Sequence, residues 1–212
     1  MQAITENDVR IRSHRRAAHS IGKFLLCAAA AAAAAARAEA FVTASAGRSG
    51  WDIDCAATVS CKSRDTSGTI RAGYQFSPYA AIEARYFDLG EASLSFVSGV
   101  SLPDMTPLVT DARVSARGGG VNLILSLPVA ERFSISGIAG LARTSARIRN
   151  SSPVFSTDDS TRATKPYYGV NVAYAISPAL ALSLEADRYR IGFADSTASV
   201  DMFGVGLTYR FR

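Results

Sequence analysis

Polar and apolar residues alternate with a period of two along most of the chain beyond residue 65, in segments of about ten residues separated by turn-forming pairs. Thr69 to Phe76 shows the pattern cleanly: Thr69, Arg71, Gly73 and Gln75 take one face, Ile70, Ala72, Tyr74 and Phe76 the other. After Ser77-Pro78, Glu83 and Arg85 oppose Ile82, Ala84 and Tyr86. Further on, Tyr168, Val170, Val172, Tyr174 and Ile176 alternate with Gly169, Asn171, Ala173 and Ala175. Beyond Ser177-Pro178, Leu182, Leu184 and Ala186 oppose Ser183, Glu185 and Asp187. The last segment sets Phe203, Val205, Leu207, Tyr209 and Phe211 against Gly204, Gly206, Thr208 and Arg210. Two less regular strands fall at 114–127 and 133–149, and a first strand at Phe41–Arg48 is placed mainly by its position. The sum is eight strands. Their connections divide into tight ones at Pro78, Pro128 and Pro178 and longer ones near 49–67, 90–112, 150–165 and 191–199. An even number of strands with short turns at one end and long loops at the other is the transmembrane β-barrel pattern.

No later segment is a long apolar run, so helical membrane spans are excluded. Periodicity alone does not say which face turns inward. A soluble barrel of the lipocalin kind would carry its apolar face inside. The leucine-rich and aromatic apolar face, the first forty residues and the C-terminus favour the opposite arrangement. In lipid every backbone group must pair internally, and a closed barrel is the one β solution. A charge on the lipid face would cost about 2–4 kcal/mol near the midplane. Arg71, Glu83, Arg85, Glu185, Asp187 and Arg210 are therefore expected to point inward as a lumenal ion-pair network. Eight strands leave a bore that side chains fill, so no open pore is expected.

Residues 1–40 read as a cleaved signal peptide, leaving a barrel over 41–212. Arg15, Arg16 and Lys23 form a basic region, Phe24 to Ala36 an apolar run, and Ala38-Glu39-Ala40 a small-residue cleavage site. The run is too short to span a bilayer. The leader holds 6 of the 23 basic and 3 of the 18 acidic residues, leaving 17 against 15 and a net charge of +2. Basicity is therefore largely a property of the leader, and nucleic-acid binding is not expected. Both histidines, His14 and His19, lie in the leader as well.

Three features carry a resemblance: Gly73-Tyr74-Gln75-Phe76-Ser77-Pro78, Glu83-Ala84-Arg85-Tyr86, and the ending Gly206-Leu207-Thr208-Tyr209-Arg210-Phe211. Through them the chain resembles the OmpA-like family of small outer-membrane β-barrels, including the OmpX type, over the whole mature length. The resemblance implies an all-β, eight-stranded antiparallel up-and-down barrel in the cell outer membrane. It implies that Gly206, Leu207, Tyr209 and Phe211 belong to the C-terminal signal read by the barrel-assembly machinery. Here the chain departs from the pattern, because Arg212 follows the aromatic residue.

Candidate chemistry is sparse. Nucleophilic and general-base mechanisms built on imidazole have no histidine to use after cleavage. Glu83 and Glu185 are better explained as ion-pair partners than as a hydrolytic pair. No metal or other cofactor is expected. Cys55 and Cys61, an even pair in an exported chain, are expected to form a disulfide in the first long loop. Gly118-Gly119-Gly120 lacks the following helix that a phosphate loop needs, and reads as a close backbone approach within a strand. Arg117, Arg143 and Arg188 fall on the lipid-facing parity about 20 Å above the tight turns, counting roughly 2.3 Å per tilted residue. They are candidates for a rim that contacts lipopolysaccharide phosphates, against the alternative of snorkelling or solvated loop charge. The expected role is a monomeric structural or surface-binding outer-membrane protein whose partners are membrane lipid and a ligand met through the loops. The alternative is a narrow passive channel for small solutes.

Overall fold

The structure is a computed structural model that describes residues 39–102, 104–193 and 197–211. It contains β1 (Glu39–Trp51), β2 (Ser60–Lys62), β3 (Arg64–Ser77), β4 (Ala80–Ser101), β5 (Thr106–Pro128), β6 (Phe133–Ser151), β7 (Ser156–Ala175), β8 (Leu180–Gly192) and β9 (Thr197–Arg210). Eight of these pair antiparallel with their neighbours in chain order. β9 then returns to β1, from Phe41↔Arg210 to Trp51↔Val200, so the ring closes and, among the described residues, no long strand is left as an edge. The short β2 stands outside the ring and pairs with β4 from Ser60↔Ser95 to Lys62↔Ser93. The leader assigned to residues 1–40 lies outside the described residues, except Glu39 and Ala40, which begin β1; Arg212 also lies outside them.

The two faces are sorted as the alternation requires. Ile70, Leu184 and Phe203 are 61%, 61% and 65% exposed on the outer wall, whereas Glu83 and Arg85 are 2% and 3% exposed inside. A soluble barrel would show the reverse distribution. At the tight-turn end, the Ser77 and Ser177 hydroxyls accept the Tyr79 and Leu180 amides at 3.2 and 3.1 Å. Such serine-stabilised turns end the ladder without orphaned backbone groups. The Ser77-Pro78 and Ser177-Pro178 turns are thus built alike in sequence but bonded differently, Ser77 taking the amide two residues on and Ser177 the one three residues on.

At the opposite end the strands run much further than their sequence suggests. The segments 90–112 and 150–165, expected as loops, are mostly strand: β4 and β5 are 22 and 23 residues long, β6 and β7 are 19 and 20. The first strand likewise runs over Glu39–Trp51 instead of Phe41–Arg48. A register shift between Asp88 and Glu91 in the β4–β5 ladder breaks the alternation there. At its centre Gly90 has φ +71, and a Cβ there would lie 2.5 Å from the Thr66 carbonyl oxygen. The bulge resets the facing of later residues, so the strand continues where the simple parity stops.

The bore is filled in three storeys. At the tight-turn end is a polar vestibule of about 210 Å³, reached by Thr43, Gln75, Ser126, Ser136, Thr208 and Arg210. Above it lies a belt of charged groups. The loop end is closed by Trp51, Phe87, Leu89, Ile191, Val200 and Met202, each at most 4% exposed. The β4–β5 hairpin projects beyond this lid. Beside it Cys55 and Cys61 form a disulfide with their Cα atoms 5.8 Å apart, closing the turn that leads into β2.

Candidate functional site

Four strands supply the polar groups of the belt through one repeated rule: every second residue of a strand points inward. β3 gives Arg71, β4 gives Glu83 and Arg85, and β8 gives Glu185 and Asp187. β5 adds the amide of Asn122. Arg71 donates from Nη2 to Glu185 Oε1 across the lumen and has Glu83 Oε1 at 3.9 Å from Nη1. Arg85 donates from Nη1 to Asp187 Oδ2 at 2.7 Å and to the Tyr189 hydroxyl at 2.7 Å. Its Nη2 reaches Glu83 Oε1 at 3.1 Å. Polar neighbours then extend the belt. Asn122 Nδ2 donates to Glu83 Oε1 at 3.0 Å, Ser183 Oγ donates to Glu185 Oε1 at 2.9 Å, and the Tyr167 hydroxyl donates to Asn122 Oδ1.

Small and flat residues make the space for these groups. A Cβ at Gly206 would come within 2.5 Å of Glu185 Oε1 and 2.6 Å of Ser183 Oγ. The guanidinium of Arg85 lies 5.1 Å from the centre of the Tyr167 ring, a cation–π contact that holds it away from the strand wall. Tyr167 stacks on Tyr189 at 5.2 Å, and Tyr189 packs on Phe87 at 4.5 Å. That stack joins the charged storey to the apolar lid. Gly118 completes the join, because a Cβ there would lie 2.9 Å from Phe87 Cζ. The glycine run is therefore packing space for an aromatic ring and the neighbouring strand.

Five of the six residues expected in the lumenal network meet in one belt. Arg210 does not. It faces the bore one storey lower, in the vestibule wall beside Thr208, with no ion pair to the belt. Its strand ends there, at the open mouth, where a guanidinium needs no carboxylate. The apolar lid and the Tyr167–Asn122 and Tyr189 partners were not anticipated. Their signal was available: Phe87, Leu89, Tyr189 and Ile191 continue the parity of Glu83, Arg85, Glu185 and Asp187.

The expected rim is also rearranged. Arg117, Arg143 and Arg188 are all exposed on the outer wall. Arg188, however, is held by Asp201 through two parallel bonds, Nε–Oδ1 at 2.5 Å and Nη2–Oδ2 at 2.6 Å. The β8–β9 register places these two residues directly opposite each other, so Arg188 is already neutralised within the chain. Arg117 and Arg143 instead lie together with Arg162 of β7 around a depression of about 390 Å³. At the C-terminal end, Leu207, Tyr209 and Phe211 are 47%, 51% and 50% exposed on the outer wall, with the two rings edge to face at 5.0 Å.

A family model described as "Outer membrane protein beta-barrel domain" matches residues 24–211. No curated protein matches the sequence. Among solved structures, a major outer membrane protein from Thermus thermophilus is similar at 12% identity, covering 82% of this chain and 100% of that one, with a TM-score of 0.51. The N-terminal β-barrel domain of Pseudomonas aeruginosa OprF is similar at 13% identity, covering 81% and 97%, with a TM-score of 0.50. Ail, the attachment invasion locus protein of Yersinia pestis, is similar at 14% identity over 82% and 97%, with a TM-score of 0.49. At these identities the likeness concerns the fold.

Proposed function

Since the chain belongs to the outer membrane protein beta-barrel domain family and is an outer-membrane protein, we propose that it is a structural, surface-binding barrel that passes no solute. The observation carrying this reading is the closed bore. Arg71, Glu83, Arg85, Glu185 and Asp187 brace the lumen from wall to wall, and Phe87, Leu89 and Ile191 close it above them at 0% exposure. A hydrated ion would have to break buried ion pairs and then cross an apolar layer. The same burial argues for a role outside catalysis: Glu83 stands at the inner end of the vestibule only 2% exposed, and Asp187 is 3% exposed.

What the protein offers outward is the long β4–β5 hairpin, with β2 paired to its edge and the Cys55–Cys61 disulfide at its base. Val97, Val100, Leu102 and Met105 are exposed near its tip, a surface suited to contact with another molecule. The chain acts as a monomer in this reading, inserted by the barrel-assembly machinery through the Tyr209 and Phe211 end. Planar-bilayer recording of the refolded protein tests the central point. Purified barrel should give no steady unitary current, whereas stable ohmic steps would establish the narrow passive channel in its place.

A further inference from the structure

The outer wall carries an unusual arrangement at the height where its apolar band ends. In the register of β5, β6 and β7, Arg117 lies opposite Ser145, and Ser145 lies opposite Arg162. One pair nearer the tight turns, Tyr86 lies opposite Gly119, and Gly119 opposite Arg143. Cross-strand partners share a face, so three guanidiniums and a tyrosine ring surround a patch whose floor is Ser145 and the bare backbone of the glycine run. The depression they line is about 390 Å³.

None of the three guanidiniums has an ion pair or hydrogen bond among the described residues. Arginines further along the same strands are paired. Arg147 and Arg149 share Asp158 at 3.3 and 3.2 Å, and Arg113 has Glu91 at 4.0 Å. Asp88 lies opposite Arg117, yet its Oδ1 accepts the Gly90 amide and it forms no ion pair with the arginine. The position is equally telling. From Leu127 to Arg117, and from Phe133 to Arg143, the strand climbs ten residues (127 − 117 and 143 − 133). That is roughly 23 Å at about 2.3 Å per tilted residue, close to the height of the apolar band of such barrels. Directly below, Val121 and Leu141 are 59% and 56% exposed.

We infer that Arg117, Arg143 and Arg162 form a binding site for the phosphorylated headgroup of an outer-leaflet lipid, whose acyl chain runs down over Val121 and Leu141. The inference rests on the outer-membrane placement above and supplies the ligand class that the wall would take. Guanidinium forks match phosphate oxygens in pairs. Three of them, none ion-paired and with Asp88 opposite Arg117 the facing carboxylate, leave a net local charge that a phosphate ester neutralises. Gly119, between Tyr86 and Arg143 in the register, carries no side chain to crowd the edge of the depression.

The test uses the folded full-length chain in phosphatidylcholine vesicles, with its thermal midpoint read by heat-modifiable gel mobility. The vesicles contain lipid A bisphosphate, the same lipid stripped of both phosphates, or neither. The phosphorylated lipid should raise the midpoint and the stripped lipid should not. The Arg117→Gln, Arg143→Gln, Arg162→Gln triple variant should lose at least half of the rise. Gly119→Leu should lose a comparable share while keeping every charge, since a Cβ there meets nothing closer than the Arg85 carbonyl oxygen at 3.4 Å. It also serves as the reading should the triple variant fail to fold. Arg147→Gln with Arg149→Gln should keep the rise. Full retention by both Gly119→Leu and any folded triple variant would overturn the site. So would an equal loss in the Arg147 and Arg149 variant, or the same rise produced by inorganic phosphate without the lipid. Conductance is measured in membranes free of lipid A. An open channel with an intact lipid response therefore defeats the sealed-bore reading alone.

Discussion

Arginine appears on both faces of this barrel, and the two populations live under opposite rules. Inside, Arg71 and Arg85 are 2% and 3% exposed, and each has at least one carboxylate from another strand within reach. Outside, Arg117, Arg143 and Arg162 are exposed and have no partner among the described residues. The difference follows from where the counter-charge comes from. A buried guanidinium must be neutralised by the protein itself, because the loss of hydration is not otherwise offset. A guanidinium on the wall at the edge of the apolar band can be neutralised by water or by the membrane. Arg188 stands between the two classes, exposed like the second and paired like the first.

The comparison breaks most visibly at Arg85. Arg85→Met keeps much of the side-chain volume but strips Asp187 and Glu83 of their shared cation and leaves the Tyr189 hydroxyl without its donor. Leaving one member of a buried pair uncompensated costs about 3–5 kcal/mol. Urea unfolding in phosphatidylcholine vesicles should show a loss of that size. A loss under about 1 kcal/mol, the size of an exposed pair, would mean that water enters the belt and that the bore is less sealed than the structure has it. Removing Arg71 and Glu185 together sharpens the same point. Replacing both by apolar residues of similar volume should cost much less than replacing either alone, since no charge is then left stranded.

Arg188→Gln comes next. It breaks an exposed bidentate pair with Asp201, whose side chains are 49% and 35% exposed. Such pairs contribute little and are screened. The expected result is a small drop in the unfolding midpoint at low salt that disappears at high salt. A large drop that salt does not touch would place Arg188 in the buried class.

Much of this division was legible in the sequence, and the exceptions share a cause. Period-two parity places Arg71, Glu83, Arg85, Glu185 and Asp187 inside, because a one-residue slip would turn every one of them into lipid. Parity speaks about faces within one strand. It does not give height or partners across strands. Arg210 has the correct face and the wrong storey. Arg188 has the correct face, and its partner Asp201 is visible only once the β8–β9 register is known. Arg71 and Glu185 are 114 residues apart in sequence, and only closure of the ring brings them together. Arg162 was hidden because 150–165 resembles a loop: its serines, threonines and aspartates are turn-forming residues, and they are also good polar faces for a hairpin beyond the membrane. The bulge at Gly90 did the same to β4 and β5 by interrupting the alternation on which the strand assignment rests.

The smallest expected effect is the most discriminating for the wall arginines, because its sign carries the information. In vesicles of phosphatidylcholine alone, Arg143→Gln removes one of three like charges gathered around a single depression, with no carboxylate bonded to any of them. At low salt the mutual repulsion of the three is only weakly screened, since the Debye length is about 30 Å at 0.01 M and about 3 Å at 1 M. Removing one should therefore leave the barrel as stable as before or slightly more stable, and the gain should vanish as salt is added. A guanidinium that held the wall together would behave in the opposite way, because its loss would leave an acceptor unpaired and the midpoint would fall at any salt concentration. A fall of that kind would assign Arg143 a partner within the chain and move it into the class of Arg85. A neutral or slightly favourable change, reversed to a loss only when phosphorylated lipid is present, would mean that its counter-charge is supplied from outside the protein.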